Sequence, residues 1–187
     1  AQHRFAEHGI RTGKMALDLA AMMKRKDRVV EALTDNVRRL LEGHRIEIVH
    51  GTARLTAPDR VAVQPKDGGR FEMQGRAILL ATGSRPAALP GIDFDGERIV
   101  SSTEALQFDA VPERLGIVGG GYIGLEMGSV WQRLGSRVTV LEMQPQIAGT
   151  LDGQAARAFE RILRKQGLDI RLKTRVAEVR VDDGQVS

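Results

Sequence analysis

The chain has 187 residues, 42% of them hydrophobic and 28% charged, with a formal net charge of +4 and a pI near 9.8, a composition that fits one large or two small globular domains. It contains no cysteine, which excludes disulfide scaffolding and thiolate metal sites within these residues, and His3, His8, His44 and His50 show no metal-ligand spacing, so no metal site is expected. The basic residues are dispersed and aromatics reach only 4%, so no nucleic-acid surface is expected.

Uninterrupted apolar runs such as Ala77 to Ala81 fall far short of the roughly 18 residues a membrane helix needs. No basic-then-apolar signal segment opens the chain. The expectation is no membrane association and a cytoplasmic or organelle-matrix location.

From about Thr12 to Glu42 the pattern is helical. Val30, Leu33, Val37 and Leu40 fall on one stripe, Met15, Leu19, Met22 and Met23 extend it, and core packing is the expected use of that face. The basic cluster Lys24, Arg25, Lys26 and Arg28 reads as a solvated helix face, and Gly43 as the helix stop. Strand-like runs follow at Ile46 to His50, Val61 to Gln64, Phe71 to Gln74 and Ala77 to Ala81. The second and third flank Lys66-Asp67-Gly68-Gly69, whose glycines permit positive φ and suit a hairpin turn. The fourth is apolar on both faces, as in a strand inside a covered parallel sheet, and stops at Thr82-Gly83-Ser84.

Pro86, Pro90 and Pro112 break the next segment, which reads as a connector with a short helix near Thr103 to Leu106 capped by Ser101 or Ser102. A domain boundary is expected here, with residues 1–103 on one side and 104–187 on the other. Beyond it lie a strand at Leu115 to Val118, a helix at Tyr122 to Leu134, a strand at Arg137 to Leu141 and a helix at Gln154 to Gln166 ended by Gly167. Strands at Asp169 to Leu172 and Val176 to Val181 and a turn at Asp182-Asp183-Gly184 complete the chain.

Gly119-Gly120-Gly121-Tyr122-Ile123-Gly124 fits G-x-G-x-x-G, and its placement after a strand and at the start of a helix is the context that gives the motif meaning. Gly119 then serves the tight turn, Gly121 the approach of a pyrophosphate, and Gly124 the close lie of helix on strand. The helix start offers free N–H groups and a partial positive charge of about half an electron to phosphates. Glu142 ends the second strand, 18 residues after Gly124, near the roughly 20 expected of the acid that accepts the adenosine ribose hydroxyls. A carboxylate there favours NAD over NADP, and no Arg or Lys follows in sequence until Arg157 to receive a 2′-phosphate. Glu126, on the first turns of the helix, has two open readings: a charge placed to suit the helix dipole, or a contact to the nicotinamide.

The run Ala77 to Pro86, the pairs Pro90-Gly91 and Ser102-Thr103, and the stretch GGGYIGLEMGSVWQRLGSRVTVLE resemble the flavoprotein disulfide reductases. Gly128 to Gly135 is most similar to the dihydrolipoamide dehydrogenase branch. The resemblance implies an α/β fold: part of an FAD-binding Rossmann-like domain followed by part of an NAD-binding Rossmann-like domain. It implies that Thr82, Gly83 and Ser84 approach FAD, that Ala53 meets its adenosine half, and that Gly119 to Glu126, Glu142 and Val176 line an NAD site, with Tyr122 and Glu126 nearest the nicotinamide. It implies oxidation of dihydrolipoamide, carried on a lipoyl-bearing protein of a 2-oxoacid dehydrogenase complex, with electrons passing through a disulfide and FAD to NAD in a homodimeric parent. The family's redox Cys-x-x-x-x-Cys and its His-Glu pair are not among these residues, so no catalytic residue is assigned and the chain by itself is expected to show no turnover. Mercuric reductase and glutathione reductase are the rivals within the family, and a non-catalytic NAD-binding module is the rival outside it.

Overall fold

The computed structural model describes residues 8–9, 16–182 and 184–187. Met15 and Thr12 lie outside the described residues, but residues 16–18, expected to be helical, are irregular, and the helix starts at Leu19. The chain divides into two compact units, one formed by Lys24–Arg85 and the other by Pro86–Ser187 together with Ala1–Met23.

The unit containing Pro86–Ser187 is organised around a parallel sheet in the order β4 (Arg114–Val118), β5 (Arg137–Leu141), β6 (Asp169–Arg171). Two helices make the connections, α3 (Tyr122–Leu134) between β4 and β5 and α4 (Gly153–Gln166) between β5 and β6. Strand, helix, strand, helix, strand with parallel pairing is a Rossmann-like α/β arrangement, as the sequence leads one to expect. The register sets Val118 opposite Leu141 and Leu141 opposite Arg171, so the carboxyl ends of all three strands finish level.

Apolar residues on facing elements close the core of this unit. Leu125 and Trp131 of α3, Val138 and Val140 of β5, Leu163 of α4, Leu168, and Ile170 of β6 are buried together with Ile147 and Ala148, and Leu19 and Met23 pack against this cluster. Trp131 is also tied by its indole N–H, which donates to the Ala105 carbonyl at 3.1 Å. Its ring meets Phe108 in a tilted pair with centroids 5.2 Å apart. Ala105 lies on the short helix α2 (Ser102–Ala105), whose N-terminus is held by a full capping box: the Ser101 hydroxyl accepts from the Thr103 N–H, and the Glu104 carboxylate accepts from the Ser101 N–H. That carboxylate is held below its usual pKa, first by the bond from the Ser101 side chain and then by the Ser101 backbone N–H. Ahead of α2, the Asp95 carboxylate accepts N–H groups of Glu97, Arg98 and Ile99 at 2.8, 2.7 and 2.8 Å. Those bonds favour its charged form, Glu97's the most, and lower its pKa.

Both long helices of the unit end on left-handed glycines, Gly135 at φ 119° and Gly167 at φ 107°. The expected strand over Val176 to Val181 is not formed: residues 174–180 are irregular, and only β7 (Val181–Asp182) pairs, with β8 (Gln185–Val186). β-Branched residues predispose that stretch to extend, but a strand also needs a ladder partner: Arg180 exchanges N–H···O bonds with Ser187 at 3.0 Å, and no ladder is present for residues 174–179 among the described residues.

The Lys24–Arg85 unit holds most of α1 (Leu19–Gly43) and an antiparallel sheet in the order β1 (Gly51–Ala57), β2 (Arg60–Pro65), β3 (Phe71–Gln74). The turn at Gly68 and Gly69 has the expected positive φ, 93° and 84°. Three expectations are corrected. Ile46 to His50 is irregular and the strand starts later, at Gly51, where pairing with β2 is available. Ala77 to Ala81 is not a strand inside a covered sheet: Leu79 is 90% exposed, and no described strand offers it hydrogen bonds. The stripe Val30, Leu33, Val37 and Leu40 is exposed rather than packed, and α1 carries no buried residue. Gly43 is the last helical residue, as read, but Arg45 takes the left-handed conformation at φ 58°, with the Ile46 N–H reaching back to the Leu41 carbonyl in a Schellman closure.

Candidate functional site

At the carboxyl end of β4 the chain must turn back sharply to start α3, and Gly119 does so at φ 102°, a conformation a side chain rarely adopts. Its N–H donates to the Leu141 carbonyl at 2.8 Å, which ties the loop to the end of β5. Gly124 and Gly128 serve packing. A Cβ on Gly124 would lie 2.9 Å from the Gly119 carbonyl oxygen and 2.9 Å from Ile117 Cγ2, so α3 can approach β4 this closely only with glycine there, and one on Gly128 would lie 2.9 Å from the terminal Cδ1 of Ile117, which would have to move aside. At Gly121, by contrast, a Cβ would meet nothing within 4 Å. The glycine that the motif reserves for close ligand approach faces open space.

Gly121 is also the N-cap of α3, in extended conformation, and no described side chain caps it. The first intrahelical bond is from the Leu125 N–H to the Gly121 carbonyl at 3.0 Å. The N–H groups of the first turn before Leu125 therefore have no partner within the helix, and they carry the positive end of its dipole. Tyr122 and Ile123 are exposed at this end.

Glu142 lies against the loop. One carboxylate oxygen, Oε2, accepts the Gly120 N–H at 2.6 Å, and the other, Oε1, accepts the Gln144 N–H at 2.6 Å. Each oxygen has two lone pairs, so one site on each is left after these bonds. The carboxylate is thereby fixed at the strand end, beside the glycines, before anything binds. Gly120 has no room for a side chain: a Cβ would sit 3.1 Å from Glu142 Oε2 and 3.1 Å from Ile147 Cγ2.

The structure brings Gly119 to Gly124 and Glu142 into one place and separates the other expected residues from it in kind. Glu126 is exposed and lines a groove of about 450 Å³ between α3 and α4, with Val130, Arg133, Phe159 and Ile162 among its neighbours. Val176 is half-buried in the irregular stretch after β6. That stretch begins at Thr174, whose N–H donates to the Glu142 carbonyl at 2.9 Å. Ala53, Thr82, Gly83 and Ser84 belong to the Lys24–Arg85 unit. Ala53 is exposed on β1 opposite Val63, and Thr82 to Ser84 are exposed and irregular, with Gly83 at φ 80°. By themselves these four make no enclosed cradle for a flavin.

Sequence reasoning missed what stands beside Glu142 in space. The Glu142 N–H donates to the Arg171 carbonyl at 2.8 Å, and the Lys173 N–H donates to the Gln144 carbonyl at 3.1 Å. The backbone of two basic residues, one at the end of the third strand and one just after it, thus adjoins the Glu142–Gln144 segment, where a count along the chain found none before Arg157. The parallel pairing of β5 with β6 was the available signal. Arg171 is engaged by Asp169 at 3.0 Å, and Lys173 is exposed.

Comparison with known proteins places these features in a family. The profile for pyridine nucleotide-disulphide oxidoreductases matches residues 3–187. The chain is 44% identical over 179 residues to a leghemoglobin reductase of Vigna unguiculata, covering 96% of this chain and 34% of that protein. It is 49% identical over 176 residues to dihydrolipoyl dehydrogenase 3 of Pseudomonas aeruginosa, covering 94% of this chain and 38% of that protein. The crystal structure of LpdA from Mycobacterium tuberculosis superposes with a TM-score of 0.83 at 26% identity, over 98% of this chain and 41% of that one. The chain therefore spans little more than a third of the length of these relatives.

Proposed function

The chain belongs to the pyridine nucleotide-disulphide oxidoreductase family, and from that premise we propose that the loop Gly119–Gly124 and Glu142 hold NAD. The pyrophosphate rests on the N–H groups at the start of α3, above the open side of Gly121. Glu142 accepts the 2′ and 3′ hydroxyls of the adenosine ribose with the lone pairs its two backbone bonds leave over. Ile123 and Val176 are proposed to line the site, with Tyr122 and Glu126 nearest the nicotinamide. The residues fit the group on an observation independent of the family: a helix start without a side-chain cap, an open glycine and a pre-set carboxylate converge at one strand end.

The parent protein is read as a dihydrolipoyl dehydrogenase, a homodimer that takes electrons from dihydrolipoamide on a lipoyl-bearing protein. Relatives with that name support the reading at 49% and 42% identity. FAD supplies the hydride chemistry in such enzymes. Ala53, Thr82, Gly83 and Ser84 are the residues of this chain proposed to touch it, and residues 1–103 and 104–187 are proposed as the parts of the two nucleotide domains. What this chain contributes is placement: it binds and orients the dinucleotide and selects it by the charge at position 142.

The observation that carries the reading is the Glu142 carboxylate bonded to the Gly120 N–H. A 2′-phosphate about 4 Å from it meets repulsion of about 1 kcal/mol in water and about 4 kcal/mol at an effective dielectric near 20, so a preference for NAD of roughly fivefold or more follows. Titration calorimetry of the chain with NAD and NADP tests this, and Glu142→Ala should erase the preference. A wild-type chain that favours NADP defeats the reading. The alternative is NADP tolerance, for which the exposed Lys173, whose backbone N–H donates to the Gln144 carbonyl, would supply the cation. The same titration separates the two.

A further inference from the structure

Gly120 is held from three sides, and Glu142 accounts for only one of them. Its N–H donates to Glu142 Oε2 at 2.6 Å, and its carbonyl accepts the Ala148 N–H at 2.7 Å. The side chain of Ile147, fully buried, closes the space where a Cβ would be, at 3.1 Å. Ala148 makes its bond from a left-handed backbone, φ 48°, one of three non-glycine residues with positive φ among the described residues. Its own carbonyl accepts the Leu151 N–H at 2.8 Å, and it is 7% exposed. A left-handed alanine persists only where the surroundings over-determine it, and here its two backbone hydrogen bonds and the burial of its neighbour do so.

We propose that Ala148 is a positioning residue for the dinucleotide: by holding the Gly120 carbonyl it fixes the Gly120–Gly121 peptide and so restricts rotation about the Gly120 backbone, which steadies the neighbouring Gly119–Gly120 peptide whose N–H presents the Glu142 carboxylate to the ribose. The proposal rests on the reading of Glu142 as the ribose acceptor. The path runs from the Ala148 N–H to the Gly120 carbonyl at 2.7 Å, across the Gly120 backbone, and from the Gly120 N–H to Glu142 Oε2 at 2.6 Å. The second carboxylate oxygen is set separately by the Gln144 N–H, so loosening Gly120 frees the carboxylate to turn about that remaining bond. A turned carboxylate no longer offers both oxygens to the two hydroxyls, and it repels a 2′-phosphate less. The Ile147–Ala148 turn thus governs discrimination between NAD and NADP without touching either.

Ala148→Pro tests this in the 187-residue chain, because proline has no N–H to give and cannot take positive φ. Ala148→Gly is the conservative counterpart, since glycine keeps the N–H and adopts φ near 48° freely. Two readouts are taken: amide hydrogen exchange at Gly120 relative to Val140, and the ratio of NAD to NADP affinity by titration calorimetry. Loss of one hydrogen bond corresponds to about tenfold, so in Ala148→Pro the Gly120 amide should lose roughly tenfold protection and the NAD:NADP ratio should fall by a similar factor. Ala148→Gly should rescue both. A merely structural role lowers the melting temperature and weakens both nucleotides alike, leaving the ratio and the relative protection of Gly120 where they were. That result, in folded Ala148→Pro, overturns the proposal. Should Ala148→Pro fail to fold, Ile147→Ala, which removes the methyl pressed against Gly120, is judged on the same two readouts. A wild-type chain that binds neither nucleotide refutes the functional reading, and the exchange at Gly120 alone then decides whether the clamp exists.

Discussion

The Pro86–Ser187 unit and the Lys24–Arg85 unit carry equally clear apolar patterns, yet only the first buries them. In the first, α3 turns Leu125 and Trp131 inward onto Val138 and Val140, and the result is a closed cluster. In the second, the stripe Val30, Leu33, Val37 and Leu40 runs along α1 at helical spacing and remains exposed, and only Ala62 and Val63 are buried. Periodicity specifies which face of an element is apolar, and only a partner turns that face into a core. A chain that spans little more than a third of its relatives can hold complete partnerships in one region and unmatched faces in another.

Substitutions on the two sides should therefore differ most. Leu125→Ala removes a side chain that is 1% exposed, and should cost about 2–5 kcal/mol, read by chemical denaturation with Trp131 fluorescence as the probe. Leu33→Ala, the same change at a residue 61% exposed, should stay within about 0.5 kcal/mol. Equal losses at the two positions would break the comparison. Gly124→Ala comes next: its Cβ presses on the Gly119 carbonyl and on Ile117 at 2.9 Å, and such overpacking costs about 1–3 kcal/mol. Ser101→Ala, which removes one half of the capping box, should cost about 1 kcal/mol. The smallest effect is a shape rather than a size. Asp95 has a lowered pKa in the folded chain, chiefly from the Glu97 N–H. Its contribution to stability is therefore fully present above the ordinary carboxylate pKa and is lost as pH falls through the lower folded value. Asp95→Asn should flatten the acid limb of a stability-against-pH curve and leave neutral pH less altered in slope.

Where the chain could be read from its residues, each signal was complete within a few positions. The helix Tyr122–Leu134 has apolar spacing, a glycine loop at its start and Gly135 at its end, and the structure gives those bounds. Arg137–Leu141 alternates cleanly and Ser101 is followed three residues later by Glu104, so the strand and the cap were legible too. Strands needing partners were misread in both directions. Ala77 to Ala81 looks like the interior of a sheet and has no ladder among the described residues. Gly51–Ala57, with Gly, Thr, Ala and Arg and little alternation, pairs over its length with β2. The candidate site divides the same way. The glycines and Glu142 were legible because their spacing is local, whereas the backbone bonds of Arg171 with Glu142 and of Lys173 with Gln144, and the Ala148 bond to Gly120, depend on how strand ends and loops meet.

The most direct measurement follows backbone amide shifts by heteronuclear NMR while the chain is titrated with ADP-ribose, which carries the pyrophosphate and the adenosine ribose without the nicotinamide. The account predicts the largest saturable shifts at Gly120 to Gly124 and Gln144, with the β1–β3 amides unmoved. Saturable shifts confined to residues 51–74, or binding that leaves Gly120 and the first turn of α3 unchanged, would contradict it.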